Sequence, residues 1–202
     1  GEIIGVEMSA FYKDIRDVLA IQSIRYESER YGPSNYSIYM NKDYGNVKGY
    51  TFSLTKRYDP KTKTYAFVDY TYQITEGNSV NSGSFYYNAL SGEEEEKRIV
   101  PLSWDQRHIF NTNVSIGDPG NWNIGIISKL SSGWPYTPNI PNANYVPQPN
   151  SGRKPLQWRV DMRIHKNFIL GKYNYILYAK IYNLLDRRNE RYVFNDTGRA
   201  GY

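Results

Sequence analysis

Two histidines, His108 and His165, are the only imidazoles in the 202-residue chain, and there is no cysteine. The missing thiols exclude a disulfide framework, a thiolate zinc site and a cysteine nucleophile. No glycine-rich phosphate loop, nucleophile elbow or HExxH pattern occurs. His165 lies between Arg163 and Asn167 on a polar row, and His108 falls on an apolar row near the end of its strand. Both positions are explained by facing and packing without ligation. The expectation is a non-enzyme with no catalytic residue, no metal site and no cofactor.

The remaining side chains with chemical potential are suited to binding. Arg107, Lys129, Arg159, Asp161, Arg163, His165 and Lys180 recur at alternate positions, as do Glu7, Lys13 and Asp69. Such charges are costly against lipid and belong to a hydrated or protein-filled interior. A second set is aromatic: Tyr31, Tyr36 and Tyr39 in one long segment, and Phe85, Tyr86 and Tyr87 in another. Rings in exposed loops stack on sugars or planar chelates, or else form an interfacial belt. The run Glu93-Glu94-Glu95-Glu96, followed by Lys97-Arg98, reads as a solvated loop, with cation binding as its alternative. Nucleic acid is set aside, because acids are mixed among the bases and the net charge is only +5.

These side chains are positioned by strands, since hydrophobicity alternates with period two nearly throughout. Leu156, Trp158, Val160, Met162, Ile164 and Phe168 oppose Gln157, Arg159, Asp161, Arg163, His165 and Asn167. Six further runs alternate in the same way, beginning near Ile4, Tyr50, Ala66, Trp104, Trp122 and Tyr175. Seven strands are predicted, long by globular standards. Short turns are expected around Pro60, Pro119 and Gly171, whereas residues 15–42, 75–101 and 132–155 form long connections. Long connections at every second junction all emerge at one end of an up-and-down antiparallel sheet. Short turns at one end and long loops at the other is the pattern of transmembrane β-barrels. Trp122 and Trp134, both on the apolar face and twelve residues apart, are expected to stand roughly 30 Å apart along the membrane normal on one tilted strand. A spanning helix is excluded: the uncharged stretch 130–152 contains Pro135, Pro138, Pro141, Pro147 and Pro149. The mean hydropathy of −0.69 and the 21 tyrosines suit a barrel wall in which only alternate residues meet lipid.

Several segments resemble TonB-dependent outer-membrane receptors. Asn46-Val47-Lys48-Gly49-Tyr50-Thr51-Phe52-Ser53-Leu54 is similar to a barrel strand of that family, with Thr51 where an acid is frequent. Pro101-Leu102-Ser103-Trp104-Asp105-Gln106-Arg107-His108 and Ser132-Gly133-Trp134-Pro135-Tyr136-Thr137-Pro138 resemble two more of its motifs. The tail is the most specific match: Asp161-Met162-Arg163-Ile164-His165-Lys166-Asn167-Phe168, then Asn183-Leu184-Leu185-Asp186-Arg187-Arg188-Asn189.

The resemblance implies that residues 1–202 are a C-terminal portion of an outer-membrane β-barrel, without the plug domain and final strand. It also implies uptake of a scarce nutrient (a siderophore, a cobalamin-like compound or an oligosaccharide). The implied partners are outer-membrane lipid, the plug of the same parent chain, a TonB-type energy-coupling protein and the small-molecule or oligosaccharide ligand, in the outer membrane of a Gram-negative bacterium. Two other classes compete: a passive porin or adhesin-like barrel, and a secreted all-β carbohydrate-binding module.

Overall fold

The computed structural model describes residues 4–30, 32–78, 98–139, 141 and 147–201. Its strands are β1 (Ile4–Ser28), β2 (Gly32–Asp59), β3 (Thr64–Gly77), β4 (Val100–Pro101), β5 (His108–Asp118), β6 (Trp122–Ser131), β7 (Pro135–Tyr136), β8 (Gly152–Arg153), β9 (Gln157–Leu170) and β10 (Tyr173–Ile181). The main sheet runs β1-β2-β3-β5-β6-β9-β10, with β4 added to the end of β3; β7 and β8 form a separate ribbon. Every pairing is antiparallel. The seven long strands follow the seven alternating runs of the sequence. The sheet is open, with β1 and β10 as its outer edges.

The turns at one end are tight for local reasons. The Asp59 carboxylate accepts the Lys61 amide and the Thr62 hydroxyl, each at 3.0 Å. Asp118 accepts the Gly120 amide at 3.0 Å, the Asx-turn device that closes β5 onto β6. Gly117 has φ 133°, and a Cβ there would collide with the Trp122 carbonyl, so this position requires glycine.

Register carries the facing assignment across the whole sheet. Met8, Phe52, Tyr70, Phe110, Leu130 and Trp158 are successive partners in one cross-strand row. Ile116, Ile124, Ile164 and Ala179 form another. The alternate residues Ser53, Asp69, Asn111, Lys129 and Arg159 line up on the opposite face. One face is therefore apolar and the other polar from β1 to β10.

No apolar interior backs this sheet among the described residues. Among the described residues only Val47, Val100 and Val160 are buried hydrophobics, whereas Met8 is 72% exposed and Leu177 67%. Water does not tolerate so large a continuous apolar face in a monomer. Lipid does.

Three local expectations change. Residues 15–42 are not an irregular loop, because β1 and β2 continue pairing from Val18↔Asp43 to Ser28↔Gly32. A register break at Ile15/Val18, with Asp17 at φ 57°, shifts the alternation and hides the hairpin from a period count. The strand expected from Trp104 begins at His108. Before it the chain turns, with the Asp105 amide donating to the Leu102 carbonyl at 2.9 Å. β6 ends at Ser131, so Trp122 and Trp134 do not share one strand.

Ile126 sits inside the apolar face, between Val114 and Met162, and is 41% exposed. Ile126→Arg is expected to cost about 2–4 kcal/mol in folding into detergent or lipid, the penalty of a cation near a bilayer midplane. Arg163→Gln, on the polar face, is expected to cost far less. Equal losses in the two folding titrations would overturn the facing of the sheet.

Candidate functional site

The polar face is built row by row. The Ser53 hydroxyl donates to Asp69 at 2.8 Å and the Asn111 amide reaches its other oxygen at 3.5 Å, so this carboxylate is held by neutral donors. The Thr51 and Thr71 hydroxyls lie 3.2 Å apart across the same strand pair. Alternation places these groups at hydrogen-bonding distance because directly opposed residues on one face are near neighbours.

Towards β10 the wall becomes cationic and concave. A recess of about 420 Å³ opens over β5, β6, β9 and β10, with Asn113, Ser115 and Asn123 on one side and Asp161, Arg163, Lys180 and Tyr182 on the other. Gly125 lies in its floor, where the missing side chain keeps the hollow open. Arg159 grips Asp161 in a two-pronged ion pair, 2.8 Å through Nε and 2.7 Å through Nη2. The Asn183 amide donates to the same carboxylate at 2.9 Å, and the Arg159 guanidinium lies 5.5 Å from the Tyr182 ring centre. Arg163 and Lys180 are direct cross-strand partners. Lys180 also sits 5.9 Å from the Tyr178 ring centre.

Of the side chains predicted to line the wall, Asp161, Arg163 and Lys180 gather here, with Arg159 held to Asp161 at the edge of the second hollow. His165 is displaced towards the turns, its Nε2 3.4 Å from the Pro119 carbonyl. Lys129 opens on a second hollow with Gln106, Gln157 and Trp134. Arg107 is elsewhere, at the loop end, bound to Asp105 at 2.9 Å.

Asp105 is the group that pattern reading undervalued. It is fully buried, accepts the Thr75 amide at 2.8 Å and is bonded by both Arg107 and Arg153. One carboxylate thus ties the end of β3, the turn before β5 and the β8 ribbon together. Its signal was a Trp-Asp-Gln-Arg motif rather than a face, because alternation stops where β5 begins.

The aromatic candidates divide. Tyr31, Phe85, Tyr86 and Tyr87, together with Glu93–Glu96, lie outside the described residues. Tyr36 and Tyr39 are on β2 itself, three residues apart and therefore on opposite faces. Tyr36 meets Tyr26 edge-on at 5.6 Å rather than joining Tyr39 in one platform. His108 is accounted for on the apolar face, its Nδ1 2.8 Å from the Tyr70 hydroxyl and its ring 5.2 Å from that of Tyr72. No metal-ligand cluster occurs among the described residues.

The segment after β10 folds back on the β9 edge. Leu184 donates to the Val160 carbonyl at 2.7 Å, and the Asn189 side chain both donates to and accepts from the Trp158 backbone at 2.9 Å. A side-chain amide here does the work of a paired strand residue. Glu190 closes the tail on itself, accepting the Ala200 amide at 2.7 Å and the Arg199 guanidinium at 2.8 Å. The Ala200 amide and then Arg199 hold its carboxyl below the ordinary glutamate value.

No protein-family model and no curated protein sequence matches the chain. Among solved structures it is similar to the outer-membrane transporter YddB of Escherichia coli, with a TM-score of 0.71 at 13% identity. The match covers 95% of this chain and 28% of that one, so the chain spans little more than a quarter of its neighbour's length. The likeness establishes the fold: an antiparallel all-β sheet of the kind found in an outer-membrane transporter barrel.

Two expectations follow from the site. Asp105→Ala leaves two arginines without their shared anion and is expected to cost about 3–5 kcal/mol, read as early proteolysis between residues 98 and 107. Because the Glu190 carboxyl is depressed, its clasp is present above the ordinary glutamate pKa and is lost as pH falls through the lower folded value. Amide exchange at Ala200 should accelerate in that acid range, and Glu190→Gln should abolish the pH dependence.

Proposed function

We propose that residues 1–202 form a C-terminal portion of the barrel of a TonB-dependent outer-membrane receptor, which takes up a scarce nutrient by energy coupling. The carrying observation is the open antiparallel sheet, with one predominantly apolar face, one polar and charged face, and its long connections at a single end. An open sheet leaves unpaired backbone groups on β1 and β10, and a bilayer offers them no partner. Further strands of a parent chain would satisfy them, and about 22 strands enclose a plugged lumen in large transporters of this kind. The ligand is a siderophore, a cobalamin-like compound or an oligosaccharide, met by the long connections. The barrel does no covalent chemistry. Its work is to hold lipid outside and to border a plug and a substrate path inside, in the outer membrane of a Gram-negative bacterium, while a TonB-type protein supplies energy through the plug.

Uptake by cells expressing the full-length parent tests this reading. Growth on a limiting nutrient should require the parent gene, and collapse of the inner-membrane proton gradient should abolish accumulation. Uptake that persists without the gradient would replace the receptor with a passive porin.

A further inference from the structure

The cationic recess has a charge imbalance that the sheet does not correct. Within β6, β9 and β10 the only acidic residue is Asp161, against Lys129, Arg159, Arg163 and Lys180 on the same face. Asp161 is already committed, with Arg159 on both of its oxygens and the Asn183 amide on one. Arg163 and Lys180 therefore share the recess with no carboxylate partner among the described residues. They also stand directly opposite each other in the β9–β10 ladder. Like charges in opposed positions destabilise a strand pair unless an anion lies between them. In the neighbouring row Lys129 also opposes Arg159, but there Arg159 has Asp161 as its counter-ion, whereas neither Arg163 nor Lys180 has one among the described residues.

We propose that the Arg163–Lys180 recess binds a carboxylate, an aspartate or glutamate side chain of the polypeptide that occupies the barrel interior. The inference rests on the barrel reading above and adds the chemistry of the interior contact. A resident side chain suits the site better than a passing solute, because the opposed cations need their counter-charge for as long as the strands are paired. The neutral lining completes the fit: Asn113, Ser115 and Asn123 offer donors opposite the two cations, and Gly125 leaves depth for a side chain entering from the lumen. A guanidinium beside an ammonium supplies one forked and one point contact to a carboxylate.

Zero-length coupling with a carbodiimide reads the contact directly. The reagent activates a carboxyl group, and the Lys180 amine displaces the resulting urea to form an amide. The experiment uses the full-length parent folded in detergent, with peptides identified by mass spectrometry. The expected product joins Lys180 to an aspartate or glutamate outside residues 1–202. Lys180→Arg, which keeps the charge but removes the primary amine, should abolish it. Arg163→Gln should reduce its yield several-fold while the heat-dependent gel mobility of the folded barrel is unchanged. A folded barrel in which Lys180 couples only to acids within residues 1–202, or to none, overturns the recess as a carboxylate site for the interior polypeptide. Loss of the mobility shift in the wild-type parent overturns the barrel reading itself, and the recess with it.

Discussion

Antiparallel register is the constraint on which everything else in this chain depends. Side chains alternate with period two, so shifting one strand by one residue would exchange every group of the apolar face for one of the polar face. Along the central row from β1 to β9 this does not happen: Met8, Phe52, Tyr70, Phe110, Leu130 and Trp158 stay in register. The penalty for error is large on both sides, since a charge in hydrocarbon and an unpaired backbone group each cost kilocalories. That is why the turns are chemically specific, with Asp59, Gly117 and Asp118 each setting where a strand ends.

Where regular pairing stops, polar side chains take over the satisfaction of the backbone. Asp105 does so at the loop end, collecting the Thr75 amide and two arginines. Asn189 does so on the β9 edge, bonding both backbone groups of Trp158. These groups couple segments distant in sequence, and they turn the ends of the long connections into a supported rim. The polar face has the same logic with a different outcome. Asp69 is satisfied by Ser53 and Asn111, whereas Arg163 and Lys180 oppose each other across the β9–β10 ladder.

Much of the architecture could be read before any coordinates. The run from Leu156 to Phe168 alternates so cleanly that its apolar face and its charged face follow from counting. Arg159, Asp161, Arg163 and Lys180 were legible as polar-row residues for the same reason; Asp161, Arg163 and Lys180 line one recess, and Arg159 lies with Lys129 in the next hollow. The β1–β2 hairpin beyond Ile15 was not legible, because the irregularity at Asp17 breaks the period and makes strand look like loop. The burial of Asp105 was not legible, because nothing local distinguishes a buried carboxylate from an exposed one. Tyr36 and Tyr39 looked like a cluster by proximity in sequence, but a three-residue spacing on a strand separates them.

The sequence by itself determined the period, the facing and the direction of the connections, since these are local properties of backbone geometry and side-chain polarity. Tertiary structure alone decided which charges are paired. Arg159 with Asp161 is a neighbouring-position contact, but Asp105 with Arg153 spans 48 residues, and Lys180 against Arg163 exists only through the β9–β10 register. Electrostatic pairing depends on distance in space, and a strand period carries no information about which rows will face one another until the ladders have formed.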